Sequence, residues 1–244
     1  WHPRKVELQV RCMQRDPALA LLGTQQFDWP VAEFPDVSIQ AGERFSIVSW
    51  EQLVVRTLIP VSSVMVRRDV IDRVGDFDVA LRSSEDRDFF LRVAEMATVG
   101  ILDMPLTGYR DTPGSMCKNP EVRERAMWQV MRKLTDRNGW RNRWLLRRKC
   151  YGSMYRECAD VYARSGRHWQ SVVRLLKSCV CYPLPYRSGE VRLHLDRPRR
   201  LAVNALRLLG LKRPDHVGSA RPSPPVNAIQ SRRDNTDGAI AMSA

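Results

Sequence analysis

The features that most readily assign a sequence are missing here. The six cysteines, Cys12, Cys117, Cys150, Cys158, Cys179 and Cys181, include no C-x-x-C pair and have no histidine at ligand spacing, which argues against a zinc site. They are also too sparse in 244 residues for a disulfide scaffold, so free thiols in a reducing compartment are expected. No apolar run approaches the ~18 residues needed to span a bilayer. The chain opens at Trp1 with no cationic and then apolar leader, so no signal peptide is expected. No second copy of any segment recurs at a fixed period. With 43% apolar and 27% charged residues, wholesale disorder is excluded.

Positive charge is plentiful, and its placement is uneven. The net charge of +13 divides into minus 3 over residues 1–110, plus 16 over 111–214 and zero over 215–244. The last of these segments is rich in Pro, Ser, Asn and Gly, has no aromatic residue and shows little apolar periodicity. It cannot bury enough surface to offset its ordering entropy and is expected to be a disordered tail.

The basic segment reads as helical. Val122, Ala126, Met127, Val130, Met131 and Leu134 recur at helical spacing over 121–134, with Asn138-Gly139 as a stop. Further helices are expected over 143–164, ended by Gly166, over 168–179, and over 199–213. The middle pair resembles one helical hairpin of the tetratricopeptide kind. The last carries a Leu-rich face and a cationic one, and either caps the bundle or lies on an anionic membrane surface.

Residues 1–110 alternate element types, as an α/β domain does. The patterns predict a helix over 3–15 with Val6, Val10 and Met13 on its inner face, a buried strand over 19–27, and a short helix over 50–56. They continue with a strand over 61–66, a helix over 69–74 closed by Gly75, a helix over 85–96, and a strand over 98–102 extended to Arg110.

The chemistry concentrates between Ser62 and Met96. Phe89, Phe90, Val93, Ala94 and Ala97 form the buried stripe of the helix that Ser83, Ser84, Glu85 and Asp86 open, and Asp86 shares that face one turn nearer the N-terminus. Two roles fit such acids. Asp86 is aimed at the edge of the core as a reactive carboxylate, or Ser83 or Ser84 caps the helix and both acids complement its dipole, worth ~0.3–1 kcal/mol each.

This stretch resembles the carboxyl-terminal half of the catalytic domain of family 2 glycosyltransferases, which have the GT-A fold. The matching residues are Val66-Arg67-Arg68, Gly75-Asp76-Phe77-Asp78 (Asp76 standing where the family has a second glycine), Glu85-Asp86, Phe90-Leu91-Arg92, and the strand and loop from Met104 to Ser115. The opening Trp1-His2-Pro3-Arg4-Lys5-Val6-Glu7-Leu8-Gln9 resembles the W-x-P-x-K-L-E-x-Q that follows the family's aspartate cluster. The resemblance covers about residues 1–118.

The resemblance implies an α/β fold: a partial GT-A (nucleotide-diphospho-sugar transferase) domain over 1–118, followed by a basic all-α region over 119–214 and the tail over 215–244. It implies inverting transfer of a sugar from a nucleotide-sugar donor to a hydroxyl of a saccharide or lipid-linked acceptor; the free thiols lead us to expect a cytoplasmic protein, and the basic helices a peripheral contact at the inner face of the membrane. Asp86 would be the catalytic base, and Glu85, Arg110 and Arg67 would bind substrate, although a Tyr-Arg at a strand end also suits a structural role. Arg92 is expected to make a supporting ion pair. A divalent metal, magnesium or manganese, is implied, with its aspartate ligands and the nucleotide-binding half outside this sequence, so that the chain alone is expected to be inactive or impaired. The motifs of processive synthases, Gln-x-x-Arg-Trp and membrane helices, are missing. The alternatives are a non-catalytic interaction module, or a basic helical protein for nucleic acid or an anionic membrane surface. Trp128, Trp140, Trp144 and Trp169 among the arginines suit stacking, but no nucleic-acid-binding signature accompanies them.

Overall fold

The structure, a computed structural model, describes residues 1–30, 34, 44–110, 112, 118–137, 139–140, 142–184 and 196–211. The expectations for Asn138 and for the tail over 215–244 lie outside these residues.

The described fold is mixed α/β. A four-stranded sheet has the order β2-β4-β1-β3, where β1 is Leu19–Trp29, β2 Phe45–Ile47, β3 Met65–Val66 and β4 Thr98–Arg110. The central strands β1 and β4 run parallel along their length, from Leu19 opposite Thr98 to Trp29 opposite Arg110, whereas β2 and β3 are short antiparallel edges. A parallel central pair must be covered on both faces. Accordingly β1 is buried continuously from Leu19 to Thr24, and Leu102 and Leu106 of β4 are fully buried.

One face is covered by α1 (Lys5–Arg15), whose Leu8, Cys12 and Met13 pack on Leu19, Leu22, Leu102, Met104 and Leu106. The other is covered by α2 (Trp50–Val55), α3 (Arg68–Val74), α4 (Glu85–Ala94), α5 (Pro120–Asp136) and α6 (Trp144–Arg164). In that core Ala20, Leu21, Val99 and Ile101 of the sheet meet Phe89, Phe90 and Val93 of α4, Met127, Val130 and Leu134 of α5, and Cys150, Met154 and Cys158 of α6. The boundary expected at 118/119 therefore does not separate two cores. The apolar stripe recognised on α5 joins the core cluster shared by the sheet, α4 and α6 and does not seed an independent bundle.

Beyond that layer α7 (His168–Cys181) forms a hairpin with α6 around Gly166 at φ 76°, and α8 (Asp196–Leu208) packs on α7. Arg197 binds α8 to the end of α7 by donating to the carbonyls of Ser178, Tyr182, Pro183 and Leu184. Arg200 of α8 pairs with Asp160 of α6. Glu124 of α5 accepts from the Tyr162 hydroxyl at 2.8 Å and from Arg174 at 2.9 Å, which joins α5, α6 and α7. The Cys150 and Cys158 thiols are pushed up to about 12 by burial, so they are inert packing groups.

Several sequence expectations are corrected. The inner face of α1 is not Val6 and Val10, which are 47% and 37% exposed, but Lys5, Leu8, Gln9 and Cys12. Hydrogen bonding makes the buried polar side chains tolerable. Lys5 Nζ donates to Gln9 Oε1 at 2.7 Å and lies 4.2 Å from the centre of the Trp1 ring, while Gln9 Nε2 donates to the carbonyls of Leu22 and Ser63. Residues 61–66 are a single 3-10 turn, Val61–Ser63, before the two-residue strand β3, because Pro60 and the Ser63 hydroxyl bonded to its carbonyl close a turn there. The edge strand β2 is an element the sequence pattern does not signal. Of the four tryptophans in the basic segment, Trp140 is buried, Trp128 is 41% exposed, and Trp144 and Trp169 stand in solvent.

Burial lowers Lys5 from its ordinary 10.5 to about 8. Between about pH 8 and about pH 10.5 the unfolded chain holds a proton that the folded chain has lost, so Lys5 makes stability rise with pH across that window. Thermal unfolding of the wild type and of Lys5→Met at pH about 8 and about 10 should show a smaller upward shift in the variant. Equal shifts would mean that Lys5 reaches water.

Candidate functional site

The first turn of α4 is entered through a constrained residue. Ser84 occupies the left-handed region at φ 59° and, although it is the N-cap, its side chain bonds no amide of the helix. The carboxylate of Asp86 takes up part of that function, Oδ1 accepting from the amide of Arg87 at 2.7 Å. The cap foreseen at Ser83 or Ser84 thus makes no side-chain bond to the helix, and Asp86 lies partly buried at the edge of the core. Burial pushes its carboxyl up from the usual carboxylate range, and the neighbouring charge of Glu85 adds to the rise. The Arg87 amide and the Arg123 and Arg87 guanidinium groups oppose it.

Beside Asp86 lies a set of side chains that the sequence did not reveal. Arg87 is 2% exposed and donates from Nη2 to the carbonyl of Val54 at 2.6 Å. Its Nη1 is 3.9 Å from Glu157 of α6, and Arg123 of α5 approaches the same oxygen at 3.7 Å. These separations are too long for hydrogen bonds. Arg87 Nε and Nη1, Arg123 Nε and Glu157 Oε1 are buried and have no hydrogen-bond partner among the described residues. The cluster is therefore under-satisfied, with two cations and two acids supplied by α4, α5 and α6.

A second network fixes α4 from the other side. Asp88 is fully buried, and its Oδ2 meets Arg92 Nε at 3.0 Å and Lys133 Nζ at 2.9 Å. Lys133 also binds Asp78 at 2.8 Å, and this contact holds the Asp78 carboxyl below the usual range. Arg92 donates to the carbonyls of Val74, Gly75 and Asp76, while Phe77 rests on Phe89 with ring centres 4.9 Å apart. The Gly75 to Asp78 turn, with Gly75 at φ 81°, is thus clamped onto α4 and α5. The ion pair expected of Arg92 is this one. The i, i+4 spacing of Asp88 and Arg92 was the available signal; Lys133, forty-five positions away, had none.

The four residues singled out from the sequence do not form one cluster. Glu85 and Asp86 adjoin on α4. Arg67 donates to the carbonyls of Leu19, Met13 and Asp16, and so fastens the end of α1 to the start of β1. Arg110 is exposed at the end of β4 opposite Trp29, roughly 40 Å of strand from Thr98, where the chain enters from α4. No contact of Arg67 or Arg110 with the acid pair is found among the described residues. Nor do these residues contain a group of three or more His, Cys, Asp or Glu that fits a metal ion. Set against protein families, curated proteins and solved structures, the chain matches none.

Asp88 and Asp86 should respond differently to removal of charge. Asp88→Asn leaves Arg92 and Lys133 facing each other without a counter-ion and is expected to cost roughly 3 kcal/mol in urea unfolding. Lys133→Met, at a residue one-third exposed, should cost about 1 kcal/mol. Equal costs would show that Asp88 does not organise the network.

Proposed function

We propose that the chain carries the acceptor side of a glycosyltransferase site on a partial GT-A domain, with Asp86 as the base. An acceptor hydroxyl attacks the anomeric carbon of a nucleotide-sugar from the face opposite the leaving group. As the new C–O bond forms, the hydroxyl proton passes to an Asp86 oxygen, and the bond to the nucleoside diphosphate breaks with its electron pair on that leaving group, inverting the configuration. Alcohols are weak nucleophiles at neutral pH, and a positioned carboxylate whose affinity for protons is raised is suited to this transfer. Glu85 would orient the acceptor.

The observation that carries this reading is the elevated carboxyl of Asp86 at the entry of a helix whose position two ion networks fix. The mixed α/β sheet agrees with it, as does the way Arg92 clamps the turn from Gly75 to Asp78 in a stretch that resembles family 2 glycosyltransferases. The divalent ion that the resemblance implies has no ligand set among the described residues, and the proposed proton transfer uses only side chains of this chain. Arg67, bonded to the carbonyls of Leu19, Met13 and Asp16, supports the junction of α1 and β1; Arg110 is available to a saccharide or lipid-linked acceptor at the far end of β4.

The test is sugar transfer from uridine and guanosine diphosphate sugars, by this chain together with whatever coding sequence adjoins it. Asp86→Asn should lower turnover by about 10²- to 10⁴-fold. Because burial raises the Asp86 pKa, the folded state prefers the neutral carboxyl. Its contribution to stability is present below the unfolded value and is lost as pH rises through the folded one. At neutral pH the variant should therefore melt no lower than the wild type. A variant that keeps its activity and loses stability would make Asp86 a helix-terminal structural residue and overturn its role as the base.

A further inference from the structure

The helix α7 is built inside out. The residues it buries against α6 are Ser171, Leu175 and Ser178, and the Ser178 hydroxyl donates to the carbonyl of Gly152 at 2.6 Å, so two small-residue faces approach closely. The residues it turns outward are Trp169, Leu176 and Val180, which are 64%, 52% and 75% exposed. Spacings of seven and four place these three within about 40° of one another around the helix, in a stripe roughly 16 Å long. Like α7, helix α8 turns polar side chains inward, burying Arg197 and Asn204, and Asn204 bonds His168 at the same end of α7 as Trp169.

At the other end, Val180 and Cys181 form one wall of a groove of about 500 Å³ whose opposite wall is Trp144, Arg147 and Tyr151 of α6. Trp144 is 67% exposed. Arg147 and Lys177 stand exposed beside the stripe, and among the described residues neither makes an ion pair. No acidic residue occurs between Asp136 and Glu157, or between Asp160 and Glu190. The surface is thus aliphatic at its centre, bears indoles at both ends and is cationic along its edges.

We propose that the outer face of α7, together with the groove it shares with α6, docks on an anionic lipid bilayer with the helix lying in the interfacial plane. The charge pattern selects this occupant. A second copy of the chain would bring Arg147 and Lys177 against their own equivalents in a segment that carries plus 16. An anionic headgroup layer instead meets those cations while Trp169, Leu176 and Val180 enter the acyl boundary. None of the described helices is long and apolar enough to cross a membrane, so the contact is peripheral. The helix expected from the sequence to make such a contact was α8; the stripe on α7 is the better formed. This inference is independent of the role proposed for Asp86.

Flotation with vesicles of phosphatidylcholine and phosphatidylglycerol in equal parts, compared with phosphatidylcholine alone, tests it. The chain should float with the mixed vesicles and remain in solution with the neutral ones. The triple variant Trp169→Ser, Leu176→Ser, Val180→Ser should lower partition at least about tenfold with an unchanged melting temperature, since all three side chains are exposed. Arg147→Gln and Lys177→Gln should each lower it by roughly fivefold, an effect lost at high salt. Equal partition onto both vesicles, or partition unaltered by the triple variant, overturns the proposal. So does a lipid-free dimer abolished by the triple variant, which would assign the stripe to a second copy, and so does binding to an acidic peptide that lipid does not displace.

Discussion

A fully buried carboxylate between two cations is the constraint on which the arrangement of α4 depends. Asp88 has no exposure, and its carboxylate is balanced by Arg92 at 3.0 Å and, more weakly because it stands one-third exposed, by Lys133 at 2.9 Å. Each of those cations is shared. Arg92 is held by three carbonyls of the turn after α3, and Lys133 by Asp78 of the same turn. Three elements far apart in sequence are therefore locked to one carboxylate, and the helix that begins with Glu85 and Asp86 cannot rotate or slide without exposing an unpaired charge. Breaking such an arrangement costs more than making it gains, which is how a buried ion network fixes geometry without adding greatly to stability.

The constraint acts on the candidate site through two residues of one turn. Asp86 and Asp88 lie at the start of the same helix, yet one is balanced by cations at hydrogen-bond distance and the other is not. Desolvation dominates at Asp86 because the guanidinium groups that approach it, those of Arg87 and Arg123, are drawn toward Glu157 and the carbonyl of Val54. A proton-accepting carboxylate requires this imbalance, since a fully paired one would be held ionised and weakly basic. The unpartnered nitrogens of Arg87 and Arg123 belong to the same bias. The helices after residue 118 take part in it, as Arg123 and Glu157 come from α5 and α6.

Much of this architecture was legible in the sequence, and what was not has identifiable causes. Periodicity located α2 to α6 within a few residues, because each carries apolar side chains at a regular interval against one core. It failed on α1, where Lys5 and Gln9 occupy the inner face and valines the outer, since apolar pattern alone cannot foresee a polar side chain whose partners come from β1 and the 62–63 turn. It failed again on the faces of α7 and α8, where small or polar residues point inward. The edge strand β2 is three residues long and exists only because β4 is there to pair with it. At the site, Glu85 and Asp86 were identifiable from local order and resemblance. Glu157 and Lys133 were not, because their relation to α4 is made by packing across more than forty positions.

The distribution of positive charge links the interior to the surface. Two arginines of the basic segment are engaged internally: Arg148 donates to the carbonyls of Val180 and Cys181, and Arg197 to those of Ser178, Tyr182, Pro183 and Leu184 at the end of α7. Such bonds satisfy the orphan carbonyls left where a helix stops, and the cation also complements the negative end of the helix dipole. A carbonyl is neutral, however, so the guanidinium keeps its full charge and the field of the segment persists although its side chains are occupied. An anionic surface would feel that field before contact, and the contact itself would fall to exposed cations that make no ion pair among the described residues, such as Arg147 and Lys177, which lie beside the Tyr151 and Tyr155 rings. Structural arginines thus confer long-range attraction as a by-product of capping, and the exposed stripe on α7 decides where that attraction ends in contact.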